Sequence, residues 1–193
     1  MQEKNSETFY PKNRQEWRKW LQKNHAVKDS VWLVYYKKNT GMPTITWSDA
    51  VDEALCFGWI DSKARPVDDE TFIHFFCKRK AKGTWSKINK EKIERLSKEK
   101  LMTPAGLAVI AAAKNNGSWT ILDEVEDPII PKDLAKAFRS RPGSKAFFLS
   151  LSKSVKKMML SWLVLAKREE TRQKRIDEIA EHAAQHLKPK QFR

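Results

Sequence analysis

Residues 52–63, DEALCFGWIDSK, contain a change of hydrophobic period that constrains the fold more than any other part of the chain. Before Gly58, apolar residues recur with the spacing of an α-helix, and after it apolar and polar residues alternate as in a β-strand. A helix that ends here needs a residue in the left-handed backbone conformation, which glycine adopts without a Cβ clash. The pattern predicts a helix that ends at Phe57, a positive φ at Gly58 and a strand that begins at Trp59.

Two other segments in the first part of the chain have the composition of strands. Residues 31–36, VWLVYY, and residues 71–77, TFIHFFC, are rich in β-branched and aromatic side chains. The VDDE sequence at 67–70 supplies turn residues, so we predict a hairpin between the strands at 59–65 and 71–77. A small, mostly antiparallel sheet follows from these segments.

The remaining apolar patterns predict helices. Capping boxes open two of them, one at Asn13 with Glu16 and one at Thr46 with Asp49. Further helices are predicted at 86–98, between the N-cap Thr103 and Gly117, and at 132–139, 144–151, 154–167 and 169–187. The predicted fold class is therefore α+β: a small sheet with packed helices, followed by an all-helical C-terminal region.

An acidic segment with two prolines, LDEVEDPIIP at 122–131, is the predicted linker. It separates an α+β region at 1–121 from a helical module at 132–193. The longest apolar run, at 158–166, is too short to span a bilayer. We expect a cytoplasmic protein, because the N-terminus has no apolar signal segment and Cys56 and Cys77 form neither a disulfide framework nor a CxxC pair.

The hairpin presents a candidate ligand-binding face. With a two-residue loop at Asp68 and Asp69, the predicted partners are Arg65 with Phe72, Lys63 with His74, Asp61 with Phe76 and Trp59 with Lys78. Alternation then predicts a core side formed by Ile60, Ala64, Ile73, Phe75 and Cys77. The opposite side combines cations, aromatic rings and the Asp61 carboxylate.

Residues on that side and in the following WSKIN sequence form the candidate ligand-binding set: Trp59, Asp61, Lys63, His74, Arg79, Trp85, Ser86 and Asn89. The alternative is purely structural: a helix covers the face, Asp61 pairs with a lysine and Trp59 is buried. No catalytic residue is predicted, because the chain has neither a GxSxG elbow nor a glycine-rich phosphate loop.

The net charge of +14 lies entirely after Cys77, since residues 1–77 contain equal numbers of basic and acidic residues. Residues 78–100 are especially basic, and a helix there would place its cations outside. The candidate polyanion-binding residues are Lys87, Lys90, Lys92 and Arg95. Basic residues beside Trp85 can bind nucleic acid without sequence specificity, but a solvated lysine face is the favoured interpretation.

No cofactor and no metal are predicted. His182 and His186 have the spacing of two ligands on one helix face, with Glu178 four residues before them. The HAAQH sequence nevertheless lacks the glutamate of a zinc-protease motif, so a metal site is not favoured.

Several segments together resemble the bacteriocin-protection or YdeI/OmpD-associated family of bacterial proteins. They include FYPKNRQEWRKWLQKNH, ALCFGWIDS, TWSKINKEKIERL, MTPAGL, FFLSLSKS and AKREETRQKRI, and the resemblance extends over about residues 9–180. One departure is the pair Cys77 and Lys78, where the family is expected to have a small hydroxyl residue and a proline.

The resemblance implies a part in the response to envelope stress, such as tolerance of cationic peptides or bacteriocins, and an indirect association with a porin. It implies no reaction. We therefore expect a non-enzymatic cytoplasmic stress-resistance protein that binds an anionic partner, either protein or nucleic acid. One alternative is a small-molecule binder or enzyme that uses the face of Trp59 and Asp61, and another is a non-specific nucleic-acid binder.

Overall fold

The computed structural model describes residues 7–127 and 129–193. The chain divides into two compact units, one that ends at Trp119 and one that begins at Thr120. The first unit contains a four-stranded sheet in the order β1-β2-β4-β3, in which β1 is parallel to β2 and the other neighbours are antiparallel. The strands are β1 (Thr8–Phe9), β2 (Ser30–Tyr36), β3 (Trp59–Pro66) and β4 (Thr71–Lys78).

Helices pack on one face of this sheet. They are α1 (Arg14–Asn24), α2 (Trp47–Cys56), α3 (Lys87–Lys98) and α4 (Pro104–Asn115), with a 3₁₀ turn at Lys38–Thr40. Two of the predicted N-caps, Asn13 and Thr46, accept hydrogen bonds from the backbone N–H groups of Glu16 and Asp49. The predicted α+β class is confirmed by this sheet and by the helical region that follows it.

The hairpin register is as predicted at the start of β3 and differs after Asp61. Asp61 lies opposite Phe76, but an irregularity between Asp61 and Ala64 places Ala64 opposite His74, where Lys63 was predicted. For the same reason Pro66, rather than Arg65, lies opposite Phe72. A bulge adds one residue to a strand, so each later side chain changes face.

The predicted core side of the hairpin is wrong. Trp59 and Phe76 are fully buried in the main core, where Phe76 contacts Trp17 of α1 at a ring-centroid distance of 5.6 Å. Ile73 and Phe75 lie on the other face of the sheet, in a small separate cluster that also contains Trp32. Both faces of β4 are apolar, so alternation alone did not indicate which one the helices cover.

Of the other residues predicted for the core side, Ile60 packs against the main core and two do not. Ala64 is exposed rather than part of the core, and Cys77 packs with the separate cluster. Arg65 lies with its guanidinium 4.4 Å from the ring centroid of Trp32, on the face away from the main core.

The junction between α2 and β3 has the predicted geometry. Gly58 has a φ of 73°, and its N–H donates to the carbonyl oxygen of Leu55 at 3.1 Å. Helix α4 packs against this turn, and a Cβ added to Gly58 would lie 2.7 Å from Cγ2 of Val109. Glycine is thus required here both for its backbone conformation and for the close approach of α4.

Gly58→Ala is expected to lower the free energy of unfolding by about 2 kcal/mol, from left-handed strain of about 1 kcal/mol and a similar steric contribution. Gly117→Ala is the matched control, because Gly117 has a φ of 77° and nothing within 4 Å of its added Cβ. Urea denaturation of the two variants measures the difference. If both variants lose the same free energy of unfolding, Val109 moves away from the added methyl group without an energetic penalty.

The second unit is helical. It contains α5 (Asp123–Glu126), α6 (Lys132–Arg139), α7 (Ser144–Ser150), α8 (Lys153–Val164), α9 (Glu169–Ala184) and a 3₁₀ turn at Lys190–Phe192. Helix α9 contacts α6, α7 and α8, and its Ile176 and Ile179 are buried in the second core. The segment predicted as a linker contains α5, whose Val125 is buried in the same core.

The apolar patterns of the predicted helices also indicate that Trp47, Ile88, Met158 and Leu165 face inward, but all four side chains are exposed in the structure. Trp47 and Ile88 lie in the first turn of their helices and Leu165 follows the end of α8, so these positions extend past the core that the helix covers. Within residues 7–127 and 129–193, no helix combines the length and apolar composition that a bilayer crossing requires.

Candidate functional site

Two consecutive acidic residues of α2, Asp52 and Glu53, are buried and form ion pairs that the sequence did not predict. Glu53 accepts from Nε of Arg14 at 2.5 Å and from Nη1 of Arg18 at 2.6 Å, which joins α1 to α2. Asp52 pairs with Lys92 and Arg95 of α3. Lys92 and Arg95, two of the four predicted polyanion-binding residues, thus hold α3 against α2.

The other two, Lys87 and Lys90, line a cavity of about 550 Å³ between α3 and α4. We call it the lysine groove; its lining also includes Lys98, Lys114, Glu91, Glu94, Leu107, Ile110 and Trp119. The ammonium nitrogens of Lys90 and Lys114 lie 5.2 and 5.3 Å from the ring centroid of Trp119. Cations beside an apolar floor suit a ligand that has both anionic and apolar parts.

The hairpin contributes a second group of polar side chains on the helix-covered face of the sheet. Asp61 and His74 lie in β3 and β4, Arg79 follows β4, and Tyr35 of β2 joins them. We call these four residues the Asp61 cluster. The ring centroids of Tyr35 and His74 are 5.5 Å apart.

Three atoms of the Asp61 cluster are buried without a hydrogen-bond partner among the residues that the structure describes. They are the Tyr35 hydroxyl, Nδ1 of His74 and Nε of Arg79. Most buried polar atoms in folded proteins are paired, so three such atoms in one cluster need an explanation. Each unpaired atom is destabilising by about 1–3 kcal/mol.

Burial and the Asp61 carboxylate have opposing effects on the two basic groups. Burial lowers the pKa of Arg79 to about 10, although nearby Asp61 acts to raise it. Burial likewise lowers the pKa of His74, again against the effect of Asp61. The Tyr35 pKa is raised, first by burial and then by Asp61. The cluster therefore contains a desolvated cation, an imidazole biased towards its neutral form and a protonated phenol.

Neighbouring residues fix two members of the cluster in place. The Arg79 guanidinium lies 3.6 Å from the ring centroid of Trp85, and its Nη1 donates to the Thr84 carbonyl oxygen at 3.1 Å. Nε1 of Trp47 donates to Oδ2 of Asp61 at 2.9 Å, and the Trp47 side chain is half exposed. Asp61 thus pairs with an indole N–H. A lysine is its predicted partner in the case where this face is purely structural.

The remaining predicted ligand-binding residues are not part of this cluster, and two of them, Trp59 and Ser86, make contacts that stabilise the fold. Trp59 is in the main core, and its Nε1 donates to the His25 carbonyl oxygen at 3.3 Å. Ser86 caps α3 by accepting from the Asn89 N–H at 3.3 Å. Lys63 lies at the bulge, on the exposed part of β3.

No group of three or more His, Cys, Asp and Glu residues in the described part of the chain could hold a metal ion. His182 lies in α9, and its Nδ1 is 2.8 Å from the Glu178 carbonyl oxygen. His186 follows the end of α9 and has a φ of 54°. The spacing of these two histidines therefore does not place them on one continuous helix face.

Comparison with known families assigns the two parts of the chain to different models. Residues 127–186 match the family described as bacteriocin-protection, YdeI or OmpD-associated, which confirms the resemblance for that segment. A search of the curated proteins found no match, and neither did a search of the solved structures. Residues 9–109, which contain the Asp61 cluster, match a domain of unknown function, DUF8412. Because that match covers just over half of the chain, the protein belongs to the DUF8412 family.

Proposed function

We propose that this protein is a non-enzymatic binding protein that contributes to bacteriocin or cationic-peptide tolerance by holding an anionic partner in the lysine groove. The match of residues 127–186 to the bacteriocin-protection model supports the cellular role. The lysine groove is the observation that carries the binding function, because it combines an apolar floor with four lysines, of which Lys98 is paired with Glu94.

A protective role through direct capture of cationic peptides is disfavoured. The chain has a net charge of +14, so it repels other cations at long range. An anionic cellular component is the better electrostatic match, and its binding would alter how the cell responds to the peptide. Any association with a porin is then indirect.

We also propose that the protein acts in the cytoplasm. Cys56 is buried and Cys77 half-buried, and both are free thiols in the structure. Unpaired thiols are typical of the reducing cytosol. Cell fractionation followed by immunoblotting tests the location, and recovery in the periplasmic fraction would contradict it.

Lys90→Gln with Lys114→Gln is expected to weaken polyanion binding and its salt dependence. For a fluorescein-labelled single-stranded oligonucleotide, the log–log salt slope is about −0.7 per neutralised phosphate, so losing two contacts makes it shallower by about 1.4. Fluorescence anisotropy between low and moderate salt measures the slope. Lys87 is left unchanged to limit the perturbation at the start of α3.

Lys12→Gln with Lys38→Gln is the matched control, because both lysines are exposed in the first unit and outside the lysine groove. It changes the net charge by the same amount. The proposal fails if no binding occurs at low salt, or if the control changes the slope as much as the groove variant. Cells with the groove variant should also survive bacteriocin challenge less well than cells with the control.

A further inference from the structure

The Asp61 cluster has the hydrogen-bonding groups of a small-molecule site separate from the lysine groove. We propose that Tyr35, His74 and Arg79, together with Asp61, bind a small carboxylate that carries a hydroxyl or ammonium group beside it. This inference does not depend on the function proposed for the groove, because the two sites share no residue.

The unpaired atoms are the first step of the argument. Tyr35 is 2% exposed, and its hydroxyl has no partner among the described residues. If the tyrosine served only to fill the core, a phenylalanine would fill it equally well and leave no polar atom unpaired. Nε of Arg79 and Nδ1 of His74, in the same cluster, are also buried without a hydrogen-bond partner among the described residues.

The chemistry of these atoms indicates an oxyanion. Nε of Arg79 can only donate, the Tyr35 hydroxyl can donate, and Nδ1 of a neutral histidine donates in one of its two tautomers. A carboxylate offers two oxygens with several lone pairs, so it can accept from more than one of them. Arginine is particularly suited to carboxylate recognition, and Trp85 already orients the Arg79 guanidinium by stacking.

Asp61 narrows the ligand class further. Its carboxylate opposes the lowering of the pKa that burial causes at both His74 and Arg79, and the same negative charge would repel an incoming anion. Repulsion is stronger for a doubly charged phosphate than for a singly charged carboxylate. Asp61 is itself an acceptor, so it favours a ligand that places a hydroxyl or ammonium donor next to its carboxylate.

Trp47 provides a route of access to Asp61. Its indole donates to Oδ2 of Asp61, and this side chain is 49% exposed at the first residue of α2. Rotation of a half-exposed indole exposes little new apolar surface, compared with movement of a core residue. The donor group of the ligand would then replace the Trp47 N–H at Asp61.

The test uses Tyr35→Phe, with isothermal titration of glycolate, glycine, acetate and inorganic phosphate into the full-length protein. Glycolate carries a hydroxyl beside its carboxylate, glycine an ammonium, and acetate neither. We expect glycolate or glycine to bind the wild type at least tenfold more tightly than acetate or phosphate. Tyr35→Phe should weaken that binding at least tenfold while its melting temperature stays unchanged or rises.

Tyr36→Phe is the matched control, because Tyr36 is the next residue of β2 and points to the opposite face, where it contacts Tyr10. It should bind like the wild type. The proposal is overturned if neither glycolate nor glycine binds, if acetate binds as tightly as both, or if Tyr35→Phe binds like Tyr36→Phe. Oligonucleotide binding should be the same in all three proteins, which separates this result from that of the lysine groove.

Discussion

Gly106→Ala is expected to lower the free energy of unfolding by about 3 kcal/mol, the upper part of the usual range for an overpacked core. Gly106 lies in the first turn of α4, where the helix crosses the end of α2. A Cβ added there would overlap the carbonyl oxygen of Cys56 and lie 2.8 Å from its carbonyl carbon. Backbone atoms cannot rotate away as a side chain can, so α4 must move.

Helix propensity alone would make Gly106→Ala stabilising, because alanine is intrinsically a better helix residue than glycine by about 1 kcal/mol. Any loss measured by urea denaturation therefore reports the close approach of the two helices. Ala108→Gly, at an exposed position of the same helix, calibrates the local helix propensity. A neutral or stabilising Gly106→Ala would mean that α4 can leave α2 without cost.

Asp52→Ala is expected to destabilise the protein by about 3–5 kcal/mol, because it leaves a buried cation without its counter-charge. The Lys92 side chain is only 14% exposed, and its ammonium lies 2.5 Å from the Asp52 carboxylate. The Arg95 side chain is 43% exposed and also pairs with Glu99, so its remaining charge is solvated more easily. Thermal and chemical denaturation measure the loss.

The double variant Asp52→Leu with Lys92→Met separates the charge from the packing. Replacement of a whole buried ion pair by apolar residues of similar volume is often neutral or stabilising, so the double variant should recover most of the loss. If the double variant is as unstable as Asp52→Ala, packing rather than the unpaired charge dominates. Lys92 is also unsuitable for testing polyanion binding, since its replacement would disturb the join between α2 and α3.

Local features of the fold could be predicted because their causes are local. The side chains of Asn13 and Thr46 bond to backbone groups three residues away, and the positive φ of Gly58 follows from the helix end before it. The bulge after Asp61 has no comparable signal in the sequence. Because the bulge inserts one residue into β3, the predicted register beyond Asp61 was wrong.

The candidate site could be predicted only in part, for a related reason. Asp61 and His74 lie on the two strands of one hairpin, so the pattern could bring them together. Tyr35 joins them through the pairing of β2 with β4, which connects segments distant in the sequence. The adjacent pair Asp52 and Glu53 in an apolar helix was a usable signal of buried charge, although its partners on α1 and α3 could not be read from it.

Helix α2 has consequences for how the sequence of the first unit can change over time. It contacts α1, β3, α3 and α4, and every residue from Ala50 to Cys56 is buried. A substitution between Ala50 and Cys56 therefore meets a packed side chain, a paired carboxylate or a neighbouring backbone, whichever side of the helix it falls on. The turn at 67–70 is exposed instead, and its contacts are hydrogen bonds such as the one from the Lys37 N–H to the Glu70 carbonyl oxygen, so its side chains can vary more freely. We therefore expect substitutions to accumulate at exposed positions such as this turn, while the buried part of α2 can change only together with its neighbours.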